Sequence, residues 1–170
     1  MREIHIITDR ILKQLSGAED QAVEVRMPAP SNEQDFVDHT TRPVLMERAA
    51  YLKKIAKASE GSASEILKDY PRHSVQLSVR LRSGLAELHQ HFADLFIVLD
   101  GRATLVTGGT IVKPENAGPG EVRGSMVADG KRQELRPGDV AHIAAGTPHQ
   151  ILLQGDTTFT AMVIKIQENE

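Results

Sequence analysis

The sequence predicts one all-β domain, either a sandwich or a barrel, preceded by an N-terminal extension that contains helices. From His73 onward apolar residues alternate with polar ones, as in strands with one buried face. Short extended segments then recur between glycine- and proline-containing turns. A length of 170 residues suits one domain with a sizeable core. We therefore place the extension at residues 1–70 and the β domain at residues 71–170.

The composition excludes several classes of function. The chain carries 20 Lys and Arg against 23 Asp and Glu and shows no basic cluster, so we expect no nucleic-acid partner. It has no cysteine, which excludes disulfides, thiolate metal sites and a cysteine nucleophile. No apolar run approaches the roughly 18 residues that span a bilayer. We therefore expect no membrane partner and a cytoplasmic location.

The first part of the extension shows weak periodicity. Ile4 and Ile6 alternate with polar residues in a predicted strand over residues 2–8, and residues 9–16 have the apolar spacing of a short helix. Residues 18–41 have little periodicity and are predicted to form an irregular arm. We expect the extension to pack outside the barrel or against a second subunit, which would make a homodimer.

A longer helix is predicted between Pro43 and Gly61. Proline suits the first turn of a helix, where its missing N–H group is not needed. One apolar face follows at helical spacing: Leu45, Ala49, Leu52 and Ala56. Ser62 and Glu65 then have the spacing of a capping box, which predicts a further short turn of helix ending before Pro71.

The β domain is predicted as a series of short strands joined by tight turns. Gly108-Gly109 is expected to close a hairpin, and residues 113–120 form a Pro- and Gly-rich loop. The predicted strands cover residues 73–81, 95–99, 102–107, 110–112, 121–127, 131–135, 140–143, 149–154 and 157–166.

A metal site is predicted around two histidines that are one residue apart. In an extended strand the side chains of His89 and His91 point to the same face, so the two imidazoles converge. Asp94 follows just before an apolar strand, and His149 opens a later strand of the same domain. Three imidazoles and a carboxylate suit one divalent transition metal: iron, manganese, nickel, zinc or copper.

Two segments resemble the paired motifs of the cupin superfamily. Residues 84–101 resemble its first motif, a glycine followed by His-x-His, a glutamate and a glycine, and residues 138–149 resemble the second. This chain departs from the first motif in having an aspartate, one residue nearer His91, in place of the glutamate. The resemblance covers about half of the chain and implies a single-domain conserved barrel, the double-stranded β-helix or jelly roll. It also implies that His89, His91 and His149 are metal ligands. Asp94 takes the position of the family's glutamate, either as a fourth ligand or as a carboxylate that orients a histidine or a water molecule without touching the metal.

The resemblance implies a fold more specifically than a reaction. We expect a metal-dependent enzyme that acts on a small oxygen-bearing molecule, as a dioxygenase, an isomerase or a lyase. Glu87 and His142 are the candidate catalytic acid–base residues, since either could face the pocket. The alternative is a binding module that holds a metal or a small ligand for sensing or storage, without turnover.

Overall fold

The computed structural model describes residues 23–26 and 38–168, and their regular structure is mostly β-strand with one α-helix. The elements follow the chain in this order: β1 (Val23–Arg26), α1 (Arg42–Ala58), β2 (Ser62–Asp69), β3 (His73–Arg80), β4 (Ala86–His89), β5 (Phe92–Gly101), β6 (Ala103–Thr107), β7 (Thr110–Val112), β8 (Glu115–Gly118), β9 (Glu121–Gly124), β10 (Met126–Ala128), β11 (Lys131–Leu135), β12 (Val140–Ile143), β13 (His149–Leu152) and β14 (Phe159–Gln167).

The strands form two six-stranded sheets with an apolar core between them. The first sheet has the order β1-β2-β3-β14-β5-β12, and the second has the order β11-β6-β13-β4-β9-β8. Strands β7 and β10 make a separate two-stranded ribbon. Phe96 and Val163 of the first sheet pack in one buried cluster with Leu105 and Ile151 of the second. This arrangement confirms the all-β barrel predicted from the sequence.

Helix α1 covers the outer face of the first sheet. It starts after the N-cap residue Thr41 with proline in its first turn, and it buries the four residues predicted to form its apolar face. Leu52 of the helix packs in one cluster with Leu77 and Val79 of β3. The predicted helix is therefore confirmed.

Because α1 covers the apolar face of β3, the polar face of that strand looks into the barrel. Leu77 and Val79 are almost fully buried beneath the helix. The alternate side chains line an internal cavity: Ser74, Gln76, Ser78 and Arg80. The cavity therefore has a polar wall on the side of β3, which suits a polar ligand.

The turn of helix predicted after Ser62 is wrong. Residues 62–69 form strand β2, which pairs antiparallel with β3 along its length. Ala63 is fully buried in the cluster beneath α1, so packing on the sheet outweighs the local capping signal. The first sheet therefore includes residues on the N-terminal side of the boundary drawn between 70 and 71.

Two loop regions also contain more strand than the sequence predicted. Strand β1 falls within the predicted irregular arm and pairs parallel with β2. Strand β8 falls within the predicted loop over residues 113–120 and pairs with β9.

The Gly108-Gly109 turn does not close the expected hairpin. Both glycines have positive φ angles, of 72° and 68°, but β7 leaves the turn to pair with β10 while β6 pairs with β11. A Cβ atom on Gly109 would lie 2.1 Å from the carbonyl oxygen of Ala128. The turn and the end of β10 therefore approach too closely for a side chain at residue 109.

The strand predicted over residues 2–8 and the helix over residues 9–16 lie outside the described residues. Among the helices of the described part, none is long and apolar enough to cross a membrane.

Candidate metal centre

The register of the second sheet brings charged side chains together on one face. Glu87 of β4 lies directly opposite His149 of β13 on one side and Arg123 of β9 on the other. His89, two residues along β4, lies opposite Glu121 of β9. Residues directly opposite each other point to the same face of a sheet, as do residues two apart on one strand. All five side chains therefore lie on one face of the second sheet.

Three of these side chains form a cluster of possible metal ligands. One donor atom each from Glu87, His89 and His149 lies within 4.8 Å of the other two. Asp94 adds a carboxylate from strand β5 of the first sheet: its Oδ2 atom is 3.5 Å from Nε2 of His89 and 3.5 Å from Nε2 of His149. The cluster therefore contains two imidazoles and two carboxylates.

Hydrogen bonds orient both imidazoles so that Nε2 faces the cluster. The Nδ1 atom of His149 donates to the carbonyl oxygen of Thr147 at 3.0 Å, which leaves Nε2 unprotonated in the neutral ring. That Nε2 atom is buried and has no hydrogen-bond partner among the described residues. The Nδ1 atom of His89 lies 2.5 Å from Oε2 of Glu121. A buried nitrogen lone pair without a partner, beside a carboxylate, fits a bound cation.

Asp94 stays ionised at this site. Burial raises the pKa of its carboxyl, but the adjacent imidazoles of His149 and His89, together with the charge of Lys165, hold that pKa far below its usual value. The Nζ atom of Lys165 donates to Oδ1 at 3.0 Å, so Oδ2 is the oxygen directed at the imidazoles. Asp94 therefore offers a negatively charged oxygen at the centre of the cluster.

Glu87 is also held in its charged form. Burial raises the pKa of its carboxyl, but the charges of Arg80, His149, His89 and Arg123 lower the pKa further than burial raises it. His89 shows the complementary effect. Burial lowers the pKa of its imidazole, but the nearby carboxylates of Asp94 and Glu121 raise it above the usual value.

The donor atoms of His91 are not part of this cluster, although its Nδ1 atom is also buried and has no hydrogen-bond partner among the described residues. Strand β4 ends at His89, and residues 90 and 91 form a bend before β5 begins in the other sheet. Strand alternation therefore does not carry from His89 to His91. The His91 ring packs over Gly120, where a Cβ atom would lie 2.4 Å from its Cδ2 atom. The residue that shares a face with His89 is Glu87.

His142 also lies outside the cluster. In β12 the next residue, Ile143, pairs with Asp94. Because side chains alternate along a strand, His142 points to the face opposite that of Ile143. Its side chain is 50% exposed, and Nε2 is 3.6 Å from Oε1 of Glu168. His142 therefore lies apart from the donor atoms and Glu87 lies among them, and the acid–base roles of both stay predictions.

Two residues that contact His89 and Asp94 were not predicted from the sequence: Glu121 and Lys165. Both are the cross-strand partners of the residues that they contact. In β14, Lys165 lies two residues after Val163, so both side chains point into the cavity. This alternation in the sequence could have indicated the inward position of Lys165. For Glu121 we find no signal in the sequence, because its position follows from the pairing of β9 with β4.

The cluster lies in the wall of a cavity of about 650 Å³ between the two sheets. The cavity is lined by Glu87, His89 and Asp94 and also by the polar side chains of β3. Phe92 and Phe96 supply apolar wall on the side of β5. Pockets of this size hold small organic molecules.

No family model matches the chain, and no curated protein matches it in sequence. Among solved structures, the TT1209 protein from Thermus thermophilus superposes with a TM-score of 0.52 at 16% identity, over 73% of this chain and 95% of that one. A cupin superfamily protein from Desulfitobacterium hafniense DCB-2 gives a TM-score of 0.45 at 20% identity, over 63% of this chain and 78% of that one.

A protein with a double-stranded β-helix domain from Klebsiella pneumoniae subsp. pneumoniae MGH 78578 gives a TM-score of 0.48 at 16% identity, over 64% of this chain and 79% of that one. The two facing sheets described above have the same architecture that the motifs of the sequence predicted. The chain therefore shares the fold of the TT1209 protein, and its two facing sheets form the β-barrel predicted from the sequence.

Proposed function

We propose that the barrel binds one divalent transition metal and is an enzyme acting on a small oxygen-bearing molecule. The ligands are Nε2 of His89, Nε2 of His149 and the carboxylates of Glu87 and Asp94. The observation that carries the proposal is the buried Nε2 atom of His149, which has no hydrogen-bond partner in the described part of the chain. Its other ring nitrogen is fixed by a backbone carbonyl, as is typical of imidazoles that bind metals.

The donor set is compatible with iron, manganese, nickel, zinc or copper, because imidazole nitrogen and carboxylate oxygen bind all of these ions. Such an ion, when bound, polarises substrate oxygens and supplies either redox or Lewis-acid chemistry. The reaction classes that fit are therefore those of a dioxygenase, an isomerase or a lyase.

The residues around the donor atoms have separate roles in this proposal. Thr147 and Glu121 hold the two imidazoles in position through their Nδ1 atoms. Lys165 holds protons at Nζ, 3.0 Å from Asp94, where it can donate a hydrogen bond to a substrate oxygen. The cavity admits a substrate to these groups from between the sheets.

A binding module without turnover is the second candidate. The pairing of carboxylates with cations favours it, because a general base must be free to take a proton. Glu87 is 3.5 Å from Nε of Arg123, and Asp94 is 3.0 Å from Nζ of Lys165. The homodimer expected from the N-terminal extension is a separate proposal, which light scattering of the intact chain would test.

The test begins with metal analysis of protein purified without added metal, followed by titration of metal-free protein with each candidate ion. We expect one ion per chain in the wild type and a large loss of affinity in His149→Ala. His142→Ala is the matched control, since its imidazole is exposed on the outer face. Wild-type protein that takes up no ion, or His149→Ala with unchanged affinity, would refute the metal site.

Turnover is then tested with the loaded protein. Oxygen uptake and product analysis on diketones, enols and hydroxy acids separate an oxygenase from an isomerase or a lyase. Stoichiometric metal with slow exchange and no turnover on any of these would favour the binding module.

A further inference from the structure

The wall of the cavity carries an arginine whose guanidinium is not hydrogen-bonded or ion-paired to any of the described residues. Arg80 lies at the end of β3, is half-buried and lines the cavity beside the polar side chains of that strand. Within residues 23–26 and 38–168, its guanidinium has no hydrogen bond or ion pair. Its charge nevertheless acts on the site, because it is the largest of the charges that lower the pKa of Glu87.

The other charges near the donor atoms are already paired. Arg123 contacts Glu87 at 3.5 Å, and Lys165 contacts Asp94 at 3.0 Å. Glu121 lies 2.5 Å from Nδ1 of His89. A dication held between Glu87 and Asp94 would share their negative charge with Arg123 and Lys165. The positive charge of Arg80 then remains for a bound ligand to neutralise.

The backbone makes room for this guanidinium at Gly84. A Cβ atom built on that glycine would lie 2.5 Å from Nη1 of Arg80 and 3.0 Å from Cζ. The backbone of Gly84 is fixed by its own hydrogen bonds, from its N–H group to Ile151 at 2.9 Å and from Gln150 to its carbonyl oxygen at 2.8 Å. The guanidinium of Arg80 can therefore occupy this position only because residue 84 has no side chain.

We propose that the substrate carries a carboxylate group and that Arg80 binds it, while the oxygen-bearing end of the same molecule reaches the metal ligands. This inference rests on the proposed function, because a metal-bound end fixes the orientation of the ligand in the cavity. A guanidinium presents two parallel N–H groups that match a carboxylate, and partial burial strengthens that pair.

A carboxylate fits the site better than a phosphate. Phosphate sites are commonly built from several backbone N–H groups at a helix N-terminus or a glycine-rich loop. Helix α1, the helix of the described residues, lies on the outside of the first sheet, away from the cavity. Arg80 instead stands beside Ser78 and Gln76, whose side chains complete a polar wall suited to a small organic acid.

The test compares two probes of equal chain length on the zinc-loaded protein. Butanohydroxamate chelates the metal and is neutral at its far end, whereas succinate monohydroxamate chelates in the same way and ends in a carboxylate. By titration calorimetry we expect the wild type to bind the carboxylate-bearing probe at least about tenfold more tightly than the neutral probe. A hydrogen-bonded pair of opposite charges contributes a free energy of this size. Arg80→Gln should lose this preference and bind the neutral probe with unchanged affinity.

Three further variants sharpen the result. Arg80→Lys should keep part of the preference, because a point charge replaces the planar pair of donors. Gly84→Ala should reduce the preference, since its methyl group displaces the guanidinium while the metal ligands stay intact. Arg132→Gln removes an exposed arginine of β11 and should leave both affinities unchanged.

The outcomes separate this inference from the proposed function. If zinc binds and the wild type shows no preference, or Arg80→Gln keeps it, the carboxylate assignment is overturned while the metal site stands. If the wild type binds no zinc, the metal site fails, and succinate binding to the metal-free protein decides the role of Arg80. If the metal-free wild type binds succinate and Arg80→Gln does not, Arg80 forms an anion site. If neither protein binds succinate, or both bind it equally, the role of Arg80 is overturned.

Discussion

His149 lies directly opposite Glu87 where strand β13 pairs antiparallel with β4. This single register position brings two segments that are far apart in the chain onto one face of a sheet. Because cross-strand partners have Cβ atoms about 5 Å apart, their donor atoms can reach a common ion. In the cluster of possible metal ligands, the group beside the imidazoles of His89 and His149 is therefore the carboxylate of Glu87, and not the imidazole of His91.

The first prediction distinguishes these two residues. Glu87→Gln should weaken divalent metal binding strongly, because it removes a charged donor from the cluster. His91→Gln should leave the stoichiometry at one ion and change the affinity little, because its ring packs over Gly120. Titration of both metal-free variants with zinc, monitored by calorimetry, measures the difference. A larger loss in His91→Gln than in Glu87→Gln would restore the ligand set expected from the sequence.

The sequence was sufficient to predict the helix and most strands, because their apolar residues have a clear period. The face of α1 that packs on the sheet consists of the four residues expected from that spacing. His89, Asp94 and His149 also come together, as their motifs suggested. The position of His91 could not be derived, because alternation holds only within a strand and Gln90 carries no turn signal that would end β4.

The interior surface was harder to predict than the strands that build it. A period of two shows that β3 has two faces, but it does not show which face is inside. Its apolar face is covered by α1, so Ser78 and Arg80 line the cavity instead of contacting solvent. The contacts of Glu121 and Lys165 depend on strand pairing over long sequence distances, and local patterns contain no record of that pairing.

The second prediction concerns the packing of α1 on the barrel. Leu52 is 1% exposed and contacts the outer face of the first sheet. Leu52→Ala should lower the free energy of unfolding by about 2–5 kcal/mol, as buried leucine truncations do. Urea denaturation followed by circular dichroism measures the change.

The neighbouring Tyr51 supplies the control for that experiment. Its side chain is 53% exposed, so Tyr51→Ala should change the unfolding free energy by only about 0.5 kcal/mol. Equal and small effects of both substitutions would show that α1 does not contribute to the stability of the barrel.

The third prediction is a pH dependence that comes from Glu65. This carboxyl is 3% exposed beneath the helix, and burial raises its pKa although Arg48 lies 3.1 Å away and opposes the rise. Since the unfolded chain has a pKa near 4.5, the folded state binds the proton more tightly. The stability that this protonation contributes is fully present below that value and is lost as the pH rises through the raised pKa.

Glu65→Gln removes that titration. The unfolding free energy of the wild type relative to Glu65→Gln should therefore fall as the pH rises from 4.5 through the raised pKa. Urea denaturation at several pH values measures it, with the exposed Glu60→Gln variant as the control. A difference that rises with pH would mean that the ion pair with Arg48 outweighs the burial of the carboxylate.

The last prediction concerns Lys165, the cation that competes most directly with a metal. Its Nζ atom is 3.0 Å from Oδ1 of Asp94, and the lysine side chain is 27% exposed. A divalent ion bound at Oδ2 of the same carboxylate would be repelled by this charge across a short, partly desolvated distance. Lys165→Met should therefore bind zinc more tightly, on the order of tenfold after solvent screening is allowed for. Competition with a chromophoric chelator measures the affinity, and Lys131→Met, which removes an exposed lysine of β11, is the matched control. Weaker binding in Lys165→Met alone would show that the lysine helps the site by fixing the orientation of Asp94, and that this effect exceeds the repulsion.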